Sequence, residues 1–199
     1  MLREYIPLPA RLAERDLTYH EPTQSLPARV TLDSPAVESM TDLRLVTTLT
    51  VESDATIDSA NERMKKRGVR LLLVVEETRH VEGVITAVDV LGEKPMQVVQ
   101  SRGVHREDVL VRDVMTPQTE MYVLQFEDVR LAKVGHIVAT LKAAGRQHAI
   151  VVDRDDSQRQ AVRGIFSVSQ IARQLGVHLQ TTEVARTFAE IESVFMRAR

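Results

Sequence analysis

Apolar and polar positions fall into the same order twice along this chain. Thr48 to Val51 alternates polar and apolar, as a half-buried strand does. Ser53 to Thr56 supplies turn and N-cap residues, and Ile57, Ala60 and Met64 then share one helix face. Lys65, Lys66 and Arg67 suit the C-terminal end of that helix, and Gly68 can end it. Leu71 to Val75 reads as a buried strand, residues 76–82 as a polar turn, and Gly83 to Thr86 as a second strand that runs into a short helix through Leu91. The predicted order is strand, helix, strand, strand, helix.

The same order returns from Val123. Val123 to Phe126 is the strand, Val134, Ile137, Val138 and Leu141 are the helix stripe, and Gly145 ends the helix. His148 to Val152 is the buried strand, Asp153 to Arg163 a longer polar turn, Gly164 to Ser167 the last strand and Val168 to Leu175 the last helix. Gly68 to Val75 aligns with Gly145 to Val152 without a gap, and Thr56 to Gly68 has the length of Lys133 to Gly145. The lead-ins repeat too, Val37-Glu-Ser-Met-Thr-Asp and Val111-Arg-Asp-Val-Met-Thr-Pro. Such duplication outranks any single-residue argument. Each unit is too small to bury both faces of a sheet alone, so the two are expected to pack together about a pseudo-twofold axis. The expected organisation is an arm at residues 1–36, unit 1 at 37–92, a linker helix at 93–110, unit 2 at 111–176 and a C-terminal helix at 177–199.

The arm carries Pro7, Pro9, Pro22, Pro27 and Pro35 and no sustained period, so it is expected to be extended, either loose or packed on its own domain or a partner. In the last segment Val184, Phe188, Ile191 and Phe195 form a helical stripe, which needs cover from its own domain or another subunit.

Composition narrows the classes. The 199 residues are 43% hydrophobic and 27% charged with net charge −2, which gives no general electrostatic case for nucleic acid or an anionic membrane. There is no Cys, which excludes disulfides and thiolate chemistry. No apolar run approaches the ~20 residues of a membrane span, and the first residues lack the apolar core of a signal peptide; a cytoplasmic protein is the expectation. The six His show no metal-site spacing. Asp153, Asp155 and Asp156 lack the other positions of a calcium loop. Neither a phosphate-binding loop nor a nucleophile elbow occurs, so no catalytic set emerges and no enzyme is expected.

The chain resembles a tandem pair of CBS domains, the modules named after cystathionine β-synthase. The resemblance rests on Val111-Arg-Asp-Val-Met-Thr-Pro, Gly68-Val-Arg-Leu-Leu-Leu-Val-Val and Gly83-Val-Ile-Thr-Ala-Val-Asp-Val, and covers residues 37–176. It implies an α/β fold of two β-α-β-β-α units, two modules paired as a disk-like homodimer, and adenosine compounds (AMP, ADP, ATP or S-adenosylmethionine) bound between units as a regulatory input. No cofactor is required on that reading, and the regulated partner protein lies elsewhere.

Thr86 and Asp89 suit such a ligand. A strand-to-helix turn is expected to present free N–H groups to phosphate, Thr86 adds a hydroxyl, and an ionised Asp89 can accept both hydrogens of a ribose diol. Val46, Leu71 and Ile85 are candidates to sandwich the purine, with backbone near Arg70 reading its edge. Arg70, Arg146 and His148 could meet phosphate. Thr-x-x-Asp is also close to a helix capping box, and Ser167-Val-Ser-Gln170 is one as written. Gln170 departs from the family's Asp and offers one uncharged acceptor, so Ser167, Gln170, Arg146 and His148 make a weaker second site. The competing function is a ligand-free interaction module whose clefts are filled by its own side chains.

Overall fold

The computed structural model describes residues 24–78, 80–177 and 188–191. A helical turn at Ala36–Ser39 leads into β1 (Thr41–Asp42). Unit 1 follows as β2 (Thr50–Val51), α1 (Ile57–Arg67), β3 (Leu71–Val75), β4 (Val81–Thr86) and α2 (Ala87–Leu91). Then come α3 (Lys94–Arg102), α4 (Val111–Val114) and β5 (Thr116–Pro117). Unit 2 is β6 (Val123–Gln125), α5 (Phe126–Leu131), α6 (Val134–Ala143), β7 (His148–Arg154), β8 (Gln160–Ser167) and α7 (Val168–Gln174). The strand, helix, strand, strand, helix order occurs twice in a mixed α/β fold.

Local chemistry explains the long helices. Thr56 caps α1 by accepting a hydrogen bond from the Ser59 N–H at 3.2 Å. Gly68 closes it at φ 65°, where its N–H bonds back to the last turn. Gly145 ends α6 with φ 60°. Ile57, Ala60 and Met64 are buried on α1, as Val134, Ile137 and Leu141 are on α6.

Two four-stranded sheets form, in the orders β2-β3-β4-β5 and β1-β8-β7-β6. The lead-in strands cross over. β1, which precedes unit 1, pairs antiparallel with β8 of unit 2, and β5, which precedes unit 2, pairs with β4 of unit 1. Each sheet is completed by a strand from the other half. Gly83 makes the β4–β5 approach feasible, since a Cβ there would stand 2.3 Å from the Thr116 carbonyl oxygen. Gly83→Ala is expected to destabilise the chain by about 2 kcal/mol in urea unfolding. A change below about 0.5 kcal/mol would mean that the β5 edge yields freely.

The core has three parts. Val51, Leu72, Val74 and Ile85 face the helices of unit 1 together with Ile57, Ala60, Met64, Val109, Val111 and Val114. Phe166, Met40 and the α6 stripe form the corresponding core of unit 2. Between the sheets lie Leu71, Leu73 and Val84 from one and Ile150 and Val152 from the other. β3 is therefore buried on both faces, which is why it reads as an unbroken apolar run.

The expected arm divides. Residues 1–23 lie outside the described residues, whereas 24–36 are built into unit 2. Val134 N–H donates to the Ser34 carbonyl and Ala36 N–H to that of Ala132, both at 2.9 Å. The linker does the same for unit 1, with Ile57 N–H donating to Val109 at 3.0 Å and Val111 N–H to Ala55 at 2.8 Å. Gln24 bonds Met40 and Asp42, and buried Gln174 reaches the carbonyls of Pro27 and Glu38. Phe188 and Ile191 of the final stripe pack into the unit 2 core. Val184 and Phe195 lie outside the described residues.

Two expectations of length need correction. β7 and β8 extend through the stretch predicted as a long turn, and only residues 155–159 connect them. Asp155 accepts from the N–H groups of Ser157 and Arg159, and Gln158 takes the positive φ of 63° that the tight turn needs. The added helix α5 has no counterpart in unit 1, and it takes Phe126 from the predicted strand.

Candidate functional site

The junction of β4 and α2 carries the most chemistry. Thr86 ends its strand in extended backbone, at φ −118° and ψ 164°. Its N–H donates to Asp89 Oδ2 at 2.8 Å, its hydroxyl donates to the same oxygen at 2.6 Å, and its Oγ1 accepts from the Asp89 N–H at 3.4 Å. The pair is thus a capping box. The free N–H groups expected at this turn are largely engaged, because the Ala87 N–H also bonds the Arg70 carbonyl at 3.0 Å. Any phosphate here would have to be met by side chains.

Asp89 is buried, at 8% exposure, and its other oxygen is held as well. Lys94 Nζ donates to Asp89 Oδ1 at 2.6 Å and to the Val114 carbonyl at 2.9 Å. The ammonium therefore ties the junction to the end of α4. Sequence periodicity gives no hint of Lys94. It lies five residues beyond Asp89, across the break at Gly92 between α2 and α3, where helical spacing does not apply.

His148 lies opposite Ser167 in the β7–β8 ladder and is also within electrostatic reach of this junction. Burial first, then the nearby Arg70 guanidinium, push the imidazole down to about 4, and the Asp89 carboxylate acts against them. At neutral pH the ring is uncharged. Unit 1 thus supplies Arg70, Thr86 and Asp89, α3 supplies Lys94, and unit 2 supplies His148.

The purine wall divides differently from the expectation. Leu71 lies opposite Thr86 in the β3–β4 ladder and belongs to the layer between the sheets. Ile85 lies opposite Leu72 and is fully buried against the helices of unit 1. Because side chains alternate along a strand, Ile85 points away from Leu71 and cannot share a cleft wall with it. Val46 is half-buried in the segment after β1, where its N–H bonds the Asp42 carbonyl at 3.2 Å.

The second junction is not the capping box its sequence spells. Ser167 makes no side-chain cap bond, and its hydroxyl lies 2.9 Å from that of Ser169. Gln170 Oε1 instead accepts from Arg173 at 3.1 Å. Arg146 stacks over the Tyr122 ring, 5.1 Å from its centroid. The proposed second-site residues are therefore turned to local partners, apart from His148. Among the described residues no group of three His, Asp or Glu is placed to hold a metal ion, and no helix is long and apolar enough to cross a membrane.

The family model of the CBS domain matches residues 40–95. Residues 40–95 therefore carry a CBS domain. The match covers β1, the elements β2 to α2 and the first two residues of α3, including Thr86, Asp89 and Lys94. The fold of the chain is similar to that of solved structures. An uncharacterized conserved protein from Pyrococcus horikoshii superposes with a TM-score of 0.53 at 19% identity, covering 77% of this chain and 100% of that one. A protein with CBS domains from Burkholderia ambifaria MC40-6 superposes with a TM-score of 0.50 at 18% identity, covering 68% and 88%. No curated protein matches the sequence.

Proposed function

We propose that this CBS-domain chain is a regulatory module that binds an adenosine-containing ligand at the β4–α2 junction and passes the event to a separate partner protein. The observation that carries the reading is Asp89: a buried carboxylate, held by Thr86, that together with Arg70 acts on the charge of His148 from the other unit. Only this junction has a carboxylate, since its counterpart is Gln170. A ribose diol is a two-donor group that such an acceptor can hold, and a ligand between two units can favour one arrangement of them over another. Thr86, Asp89, Arg70, Leu71 and Val46 would line the site.

Calorimetry and thermal melting of the full chain with AMP, ADP, ATP, S-adenosylmethionine and NADH test this reading. At least one compound is expected to bind with Kd below about 1 mM and to raise Tm with concentration. Asp89→Asn keeps the shape and supplies the amide found in the second unit; it is expected to weaken binding by about tenfold or more, while Gln170→Ala leaves it unchanged. Equal loss from both substitutions would move the site away from Asp89.

A second reading has its own support. Both oxygens of Asp89 are already bonded by Thr86 and Lys94, as they would be in a ligand-free interaction module. Failure of all five compounds to bind would favour that reading.

A further inference from the structure

Superposing the two junctions in register shows where the duplicated units have diverged. The bond from Ala87 N–H to the Arg70 carbonyl corresponds to that from Val168 N–H to Gln147, and the strand pair Leu71–Thr86 corresponds to His148–Ser167. In that register Arg70 matches Gln147, Asp89 matches Gln170, Lys94 matches Leu175 and His148 matches Leu71. All the ionisable members of this set gather at one junction. The corresponding places around the other hold Gln147, Gln170, Leu175 and Leu71.

Mutual pairing accounts for Asp89 and Lys94. It does not account for Arg70 or His148, which make no side-chain hydrogen bond or ion pair among the described residues. The Asp89–Lys94 pair is neutral overall, so the half-buried Arg70 leaves the site with surplus positive charge. Water screens a half-buried charge less than an exposed one, so an anion would find it attractive. The state of Asp89 sharpens this. A carboxylate offers roughly four acceptor positions. Thr86 fills two on Oδ2 and Lys94 one on Oδ1. A diol needs two, so seating it displaces the Lys94 ammonium and frees a second cation beside Arg70.

We propose that the unit 1 junction selects an adenosine ligand that carries a phosphate over a neutral or sulfonium-bearing one, with Arg70, His148 and the displaced Lys94 setting that choice. Such selectivity rests on the adenosine reading given above. A sulfonium ligand would bring positive charge to a site already in surplus. A phosphate would supply the missing partner for Arg70 and an acceptor for the His148 ring N–H.

Calorimetry of the full chain with AMP, adenosine and S-adenosylmethionine at low salt tests it. AMP is expected to bind about tenfold or more tightly than adenosine, with S-adenosylmethionine weakest. Arg70→Gln, the residue unit 2 carries at this place, should bring AMP and adenosine within about threefold of each other, with folding confirmed by melting. Should that variant fail to fold, His148→Leu and the salt dependence decide. The AMP preference should narrow in the variant and as salt rises, and a preference indifferent to both overturns the charge-based selection. Adenosine binding as tightly as AMP, or S-adenosylmethionine binding best, overturns the selectivity and leaves the ligand reading standing. Binding by none of the three, with ADP, ATP and NADH failing as well, overturns both.

Discussion

Replacing Arg163 by Met is expected to remove about 3 kcal/mol of stability at neutral pH. Arg163 lies on β8, and Nε and Nη2 donate to the two oxygens of Asp42 on β1 at 2.8 and 2.7 Å. Nη1 reaches Asp153 on β7 at 3.2 Å, and the guanidinium stands 4.5 Å from the centroid of Phe126, the first residue of α5. The fork thus fastens the crossed-over strand and the inserted helix to the hairpin of unit 2. The side chains of Arg163, Asp42 and Asp153 are only 14%, 11% and 16% exposed, so removing the cation leaves two poorly solvated carboxylates together, offset only by the more exposed Arg44 guanidinium, 3.1 Å from Asp153. Burial pushes the Asp42 carboxyl up; the hydrogen bonds from Arg163 and the Arg44 N–H outweigh it and hold the group below its ordinary range. Because its folded value is depressed, its contribution is present above the unfolded pKa and is lost as pH falls through the folded one. The cost of Arg163→Met should therefore be full at pH 7 and shrink below about pH 4 as Asp42 protonates. Urea unfolding at both pH values measures it. Asp42→Leu combined with Arg163→Met should recover part of the loss, since it removes the stranded charge. A loss under about 1 kcal/mol in the single variant would show that water reaches these groups freely.

None of that network is legible in the sequence, whereas most of the elements around it are. Leu71 to Val75 and its copy announce buried strands because apolar side chains on both faces leave no room for polar alternation. Gly68 and Gly145 announce helix ends because the chain turns there through positive φ. Those signals are local. Asp42 and Arg163 are 121 residues apart, and nothing in either lead-in says that it will pair with the other unit's sheet. The β7–β8 hairpin reads as a long polar turn because its outer pairs, Asp153–Ala161 and Arg154–Gln160, lie beyond the apolar core and carry no alternation.

The site follows the same division. Thr86 and Asp89 are found by spacing because their bond spans one helical turn. Lys94 is hidden by the break at Gly92, and Ile85 faces away from Thr86 and Leu71 because neighbours along a strand point to opposite sides. His148 is legible as a basic residue, but its electrostatic coupling to Arg70 and Asp89 is not, since that depends on how the two sheets meet.

His148 also provides a test at equilibrium without any ligand. Its folded pKa, about 4, lies below the ordinary 6.5, so the unfolded chain takes up the proton first as pH falls. Stability from this residue is full above about pH 6.5 and is lost progressively down to about pH 4, for a total of about 3 kcal/mol. Carboxylates such as Asp42, whose values are depressed below 3.8, give up their contribution only at lower pH, so pH 6.5 to 4.5 belongs to imidazole. His148→Leu places at this position the residue unit 1 has at Leu71, and it is expected to flatten the stability profile across that window in urea titrations. A wild-type profile as flat as the variant's would mean that the imidazole charges freely in the folded chain. A bound phosphate beside the ring favours the imidazolium and raises its pKa, so saturating AMP should flatten the same slope in the unmodified chain. Adenosine carries no such charge and should raise stability without changing the slope. The pH dependence of folding and the choice of ligand then report on one charge balance, that between His148, Arg70 and Asp89.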